Sequence, residues 1–148
     1  MIIVDIDGTL ADCAHRRHLI AGPGPKDWDS YHAACHLDPP IKPLCDLVHT
    51  LILAGRELEL WSGRTEAVRG LTQQWLRTHC PIAVRADIEL LLRPIGDHRT
   101  DVELKMGWLD RTLAQGWRID FVIEDRARMA AAWRRRGILC LQCAEGDY

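Results

Sequence analysis

Short apolar runs alternate with helical patterns along almost the whole chain, and this constrains the fold more than any other feature. Residues 1–5 (MIIVD) read as a buried strand. Residues 43–54 carry apolar side chains at helical spacing, and Gly55 is a helix stop. Residues 57–61 (ELELW) read as a second strand. Residues 65–79 read as a helix with a Thr cap and an acidic first turn. A third strand is expected within 82–92, where 88–92 (IELLL) competes with 82–84. A helix over 100–115 puts Val102, Met106, Leu109 and Leu113 on one face. A strand at 119–123, a helix at 126–136 stopped by Gly137 and a strand at 138–142 complete the series.

Such alternation predicts an α/β fold, a Rossmann-like three-layer sandwich around a mostly parallel five-stranded sheet. At 148 residues it fits a single domain. Sheets of this kind bind ligands beyond the carboxyl ends of their strands. The places to look are therefore just after residues 5, 61 and 123. The stretch 13–42 breaks the pattern, with Gly22-Pro23-Gly24-Pro25, a polar run at 26–29, and Pro39-Pro40. It reads as an excursion with one helix near 27–36, too short to be a domain and placed as a minimal cap over the first strand's exit.

Acids and phosphate-binding residue types sit at those exits. Asp5 and Asp7 follow the first strand, and two carboxylates so close need a cation or a shared proton. Thr9 offers a hydroxyl and an N–H to an anion. An EF-hand Ca²⁺ loop is excluded, because 9, 11 and 16 are Thr, Ala and Arg. Ser62-Gly63-Arg64 after the second strand combines a hydroxyl, a glycine and a guanidinium in the manner of a phosphate seat. Glu124-Asp125 follows the fourth strand, and Lys105 lies in the helix before it. In chain order these supply carboxylates for Mg²⁺ and cationic or hydroxyl groups for a phosphate.

On these residues the sequence resembles the haloacid dehalogenase superfamily of phosphohydrolases. The matches are D-x-D-G-T at 5–9, S-G-R at 62–64, Lys105 and E-D at 124–125. The stretch from Arg93 through Gly96, Asp97, Arg99 and Asp101 to Lys105 is similar to the 3′-phosphatase domain of bacteriophage polynucleotide kinase-phosphatases. So is the ending, with Glu124-Asp125-Arg126, Trp133-Arg134-Arg135 and Glu145-Gly146-Asp147-Tyr148. Arg16 falls where that domain carries a functional Arg, whereas Glu124 stands where it tends to have Asp. The kinase half's G-x-x-x-x-G-K-[ST] loop is absent from these residues, which leaves two-step end healing in doubt for this chain alone.

The resemblance implies that Asp5 attacks phosphorus to give an aspartyl-phosphate, while Asp7 serves as general acid and then base. It implies Mg²⁺ held by Asp5, the Asp7 backbone carbonyl and Asp125, with Glu124 nearby. It implies Ser62 and Lys105 on the phosphate, Asp101 positioning Lys105, and Arg16 and Arg64 on the substrate. The expected substrate is a 3′-phosphorylated DNA or RNA end, with a nucleotidase acting on free nucleotides as the alternative. A separate kinase or ligase partner is the corresponding expectation. A phospho-accepting receiver domain is disfavoured because Asp7 supplies an acid/base that receivers lack.

Composition bears on the partner. The net charge of −2 speaks against strong non-specific nucleic-acid binding. Of the 19 basic residues 16 are Arg, the bidentate phosphate fork, although codon bias gives the same skew. The stretch 126–136 holds Arg126, Arg128, Arg134, Arg135 and Arg136 with no acid, and reads either as a nucleic-acid patch that includes Arg126 at the site or as a solvated face. No apolar run exceeds five residues, which excludes a membrane-spanning helix, and MIIVDIDG carries no basic leader. The expectation is a cytoplasmic protein, in the host cytoplasm if phage-encoded, with its six cysteines reduced. The pairs His15/His18 and His32/His36 and the Cys140-x-x-Cys143 motif have metal-like spacing, but a substrate contact or a solvated side chain suits the histidines better and a core role suits the cysteines. Trp28, alone in the polar excursion, is either a base-stacking residue or a plug.

Overall fold

The computed structural model describes residues 1–80 and 88–146. Five strands form one parallel sheet: β1 (Ile2–Val4), β2 (Leu58–Thr65), β3 (Glu89–Arg93), β4 (Phe121–Arg126) and β5 (Cys140–Gly146), in the order β3-β2-β1-β4-β5. The third strand thus takes the 88–92 option, while 82–84 lies outside the described residues. The longer helices are α2 (Lys42–Leu53), α3 (Arg69–His79), α4 (Asp101–Ala114) and α5 (Ala127–Arg135). A short helix α1 (Trp28–Ala33) lies in the excursion, between 3₁₀ turns at Ala14–Leu19 and Ala34–Leu37.

The pleat of the strands explains the three layers. Ile2, Val4, Leu58, Leu60, Leu90 and Leu92 point to one face, against Cys45, Val48 and Ile52 of α2 and Trp75 and Leu76 of α3. Ile3, Trp61 and Val122 point to the other, against Leu104, Trp108 and Leu109 of α4 and Met129 and Trp133 of α5. Trp61 meets Trp108 edge-on at 5.7 Å and Trp133 at 5.8 Å, so three of the six tryptophans form one buried cluster directly under Ser62 in sequence.

Three strands run further toward their carboxyl ends than their apolar residues suggest. β2 includes Ser62-Gly63-Arg64, β4 includes Glu124-Asp125, and β5 reaches Gly146. The register breaks between Ser62 and Thr65 and between Glu124 and Arg126, and such irregularities re-aim side chains at sheet ends. The predicted helix 65–79 likewise opens with a 3₁₀ turn (Glu66–Val68), so S-G-R lies in a strand rather than at a helix start.

The excursion is cinched at its base. Asp12 N–H donates to Pro39 O at 2.8 Å and Ile41 N–H to Leu10 O at 2.7 Å, so the chain leaves and returns at one point. The expectation of six reduced thiols is corrected: Cys45 and Cys80 form a disulfide with a Cα separation of 5.3 Å. The fold brings the start of α2 beside the end of α3, which a separation of 35 residues in sequence does not reveal.

Candidate active site

The sheet order reverses between β1 and β4, where a parallel sheet opens a crevice beyond its carboxyl ends. β1 delivers Asp5 there and β4 delivers Glu124 and Asp125. These three buried carboxylates offer one ligand oxygen each, all within 4.8 Å of one another, and they are the only such cluster among the described residues. Gly146 of β5 makes room for Asp125, because a Cβ there would collide with the Asp125 carboxylate. Hard carboxylate oxygens at this spacing fit Mg²⁺.

Lys105 reaches the same point from α4. Its Nζ donates to Asp5 Oδ1 at 2.6 Å and to Glu124 Oε2 at 2.9 Å, with the ammonium almost fully buried. Burial alone would lower the Lys105 pKa, but the two carboxylates outweigh it and raise it above the ordinary lysine range. Burial, reinforced by the charge of Glu124, pushes the Asp5 carboxyl up to about 7 against the pull of Lys105. Burial also raises Glu124. The cluster is short of positive charge, as a cation site must be. A capping box fixes the start of α4: Thr100 Oγ1 accepts from Glu103 N, and Glu103 Oε2 accepts from Thr100 N at 2.8 Å.

Asp7 is held apart from this cluster. Its Oδ1 accepts from Arg16 Nη2 at 2.7 Å, Arg64 Nε at 2.9 Å and Arg64 Nη2 at 2.6 Å. Burial alone would raise its pKa, but Arg64 and Arg16 reverse the sign and hold it well below the usual carboxylate range. Asp38, which the sequence reading missed, accepts from Arg16 Nε at 2.7 Å, Arg64 Nη2 at 2.8 Å and His15 at 2.8 Å. Asp7, Asp38, Arg16 and Arg64 thus form one buried network tying the excursion to the sheet.

Asp101 does not bond Lys105. It accepts from Arg93 Nη2 at 2.5 Å and from Arg126 Nη1. Burial works against ionisation of Asp101, but Arg126, Lys105 and Arg93 together lower its pKa. Gly63 lets Asp101 approach β2, since a Cβ would lie 2.8 Å from its Oδ1. Arg93 also donates to Gly63 O at 3.2 Å and Arg99 O at 2.6 Å, pinning the 94–99 loop. The sequence signal for Arg93 was its match to the phage-domain stretch, without a role.

A cavity of about 970 Å³ opens over this floor. Asp5, Asp7, Gly63, Asp101, Lys105 and Arg126 line it, together with residues of the excursion and of the 93–102 stretch. Thr9 and Ser62 are fully buried just outside the lining: Thr9 N–H donates to Ile6 O at 3.2 Å and Ser62 Oγ accepts from Arg64 N at 3.2 Å. Of the five clustered arginines, Arg126 and Arg128 line the cavity. Arg134 donates to Cys140 O at 3.2 Å and Arg136 to Asp110 at 2.5 Å, and neither is in the lining. His18 and His36 each bond a carbonyl of their own turn, and Cys140 packs in the core.

The parallel sheet, the acids at its switch point and the buried lysine define the chain as an α/β phosphohydrolase of the haloacid dehalogenase type. The family model of the polynucleotide kinase PNKP phosphatase domain matches residues 1–148, and the chain belongs to that family. A structure titled a Pnkp1/Rnl/Hen1 complex is 26% identical with a TM-score of 0.76, over 99% of this chain and 46% of that one. The chain therefore spans about half the length of that relative. The class C acid phosphatase from Bacillus anthracis is 16% identical with a TM-score of 0.65, over 99% of this chain and 66% of that one. A haloacid dehalogenase-like hydrolase from Streptococcus pneumoniae is 13% identical with a TM-score of 0.58, over 95% of this chain and 82% of that one. These two share the fold. The chain is a phosphatase.

Proposed function

We propose that this phosphatase is a Mg²⁺-dependent phosphomonoesterase that removes 3′-phosphates from polynucleotide ends through an aspartyl-phosphate on Asp5. The observation that carries the reading is the Asp5–Lys105 pair. A carboxylate on the cavity floor lies 2.6 Å from a buried ammonium, with a second carboxylate two residues on. Asp5 Oδ attacks phosphorus and the ester oxygen leaves with the electron pair of its P–O bond. Lys105 then meets the charge on the phosphoryl oxygens. Asp7 protonates the leaving oxygen and afterwards takes the proton from the water that attacks the aspartyl-phosphate. Arg64 and Arg16 keep Asp7 ionised in the arrangement described, which suits the base half of the cycle. The acid half requires Asp7 to exchange those partners for substrate.

Asp5, Glu124, Asp125 and the Asp7 backbone carbonyl are the groups for Mg²⁺, which supplies charge neutralisation at the phosphoryl group when bound. Arg126 and Gly63 border the phosphate, whereas Ser62 and Thr9 are buried outside the cavity lining. The net charge of −2 and the small excursion suit an enzyme that takes a strand end into an open site. A kinase or ligase acting on the same ends belongs to the proposal, supported by the neighbour titled an RNA repair complex. A cytoplasmic setting is part of it too; no helix among the described residues is long and apolar enough to cross a membrane.

The test is a side-by-side assay with Mg²⁺ on 3′-phosphorylated and 5′-phosphorylated oligonucleotides and on free mononucleotides. Phosphate release from the 3′ end is expected. Turnover confined to mononucleotides would favour a nucleotidase and contradict the proposal.

A further inference from the structure

Nine large apolar side chains are exposed among the described residues, and two of them, Trp28 and Ile95, line the active-site cavity. They come from separate segments of the lining. Trp28 opens α1 in the excursion and is 47% exposed; Ile95 lies in the 94–99 loop and is 75% exposed. Leaving an indole in water forgoes hydrophobic burial, so its placement at the mouth of a polar site asks for a reason.

The backbone that carries each side chain is held in place. Asp27 caps α1, accepting from Ser30 N at 3.0 Å. The Trp28 ring stacks on His32 at 5.9 Å with an interplanar angle of 25° and meets Tyr31 edge-on at 5.7 Å. The Arg16 guanidinium sits 4.1 Å over the Tyr31 ring and also holds Asp7. A continuous chain of contacts therefore sets the indole relative to the catalytic carboxylates. In the 94–99 loop, Asp97 N–H donates to Pro94 O at 3.1 Å, and Gly96 has a φ of 79°, a tight turn that leaves Ile95 exposed. Arg93 pins that turn through Arg99 O at 2.6 Å.

We propose that Trp28 and Ile95 form an apolar subsite for the nucleobase of the terminal nucleotide whose phosphate is removed. This rests on the end-directed function proposed above and names the part of the substrate that the cavity walls recognise. An indole and an aliphatic side chain exposed in the lining of one cavity suit a base of any identity, since stacking is sequence-tolerant. Burial lowers the His32 pKa, so the ring under the indole is a neutral imidazole rather than a cation. Lys26 Nζ lies over the indole at 6.0 Å from its centroid, an exposed cation that a stacking base would displace.

The test compares two 3′-phosphorylated oligonucleotides that differ only in the terminal nucleotide, one base-bearing and one an abasic tetrahydrofuran analogue. For the wild-type protein, kcat/KM is expected to be about tenfold higher on the base-bearing end. Trp28→Ala and Ile95→Ser should each erase much of that preference by raising KM on the base-bearing end while leaving the abasic end unchanged. Trp28→Phe should retain most of it. Equal wild-type turnover of the two ends overturns the subsite alone. Variants that lose activity equally on both ends, with circular dichroism showing them folded, assign the two residues a structural role and overturn it as well. No wild-type turnover of either end overturns the end-directed function and the subsite with it.

Discussion

At the scale of single residues, the site is a problem of charge. Asp5, Glu124 and Asp125 crowd one end of the sheet, and Lys105 is the buried cation that bonds two of them. Replacing Asp5 by Asn keeps shape and volume but removes the proposed nucleophile. Mg²⁺-dependent phosphatase activity should fall at least about a thousandfold in a protein that still folds, as judged by circular dichroism. Lys105→Met should cost activity and also stability. It leaves two buried carboxylates without their shared cation, a loss of about 3–5 kcal/mol readable in urea unfolding. Adding Mg²⁺ should restore part of that stability in the variant, because a divalent ion supplies positive charge at the same carboxylates. An unchanged unfolding midpoint in Lys105→Met would contradict the described role of the ammonium.

At the scale of elements, the chemistry depends on where strands end and which glycines allow a close approach. Gly146→Ala places a methyl against the Asp125 carboxylate, so it should weaken Mg²⁺ activation at least about tenfold, measured as the metal concentration for half-maximal activity. The strand–helix order and the exits after residues 5, 61 and 123 were legible in the sequence, because apolar runs mark buried strands. The last residues of β2, β4 and β5 were not. A reading by apolarity stops at Ser62, Glu124 and Gln142, whereas the backbone continues to Thr65, Arg126 and Gly146. Those polar residues remain in strand because partners distant in sequence satisfy them, as Lys105 does for Glu124. Asp38 was invisible for the same reason. Its worth comes from Arg16 and Arg64, 22 and 26 residues away, and nothing in its local sequence marks it. The roles given to Asp5, Lys105 and the acid pair rested on the resemblance, and the geometry agrees in bringing them together. It gives Asp101 different partners, Arg93 and Arg126 in place of Lys105.

At the scale of the whole molecule, the carboxylates proposed to hold Mg²⁺ join β1 to β4 at the centre of the sheet, so occupancy should be felt by the entire fold. A bound cation stabilises the native state by mass action, about 2.7 kcal/mol at a hundredfold excess over its dissociation constant. For a domain of this size the thermal midpoint should rise by several degrees with Mg²⁺, about 5–10 °C. Asp125→Asn should blunt that rise. A midpoint indifferent to Mg²⁺ would argue against the three-carboxylate site. The near-neutral total charge sharpens the substrate expectation. Arg134 and Arg136 are engaged away from the cavity, while Arg126 and Arg128 line it, so only part of the 126–136 cluster is placed to meet a strand end. Salt should therefore weaken binding of a 3′-phosphorylated strand only modestly. A steep loss of affinity between 50 and 200 mM salt, about a thousandfold or more, would indicate a far larger phosphate footprint than this cavity provides. The central claim is that Asp5 takes the phosphoryl group. Rapid acid quench of the enzyme with a 3′-³²P-labelled oligonucleotide tests it most directly. The label should appear on wild-type protein as an acyl phosphate released by hydroxylamine, and be absent from Asp5→Asn. Full turnover with no labelled protein at any time, or label that persists in Asp5→Asn, would contradict it.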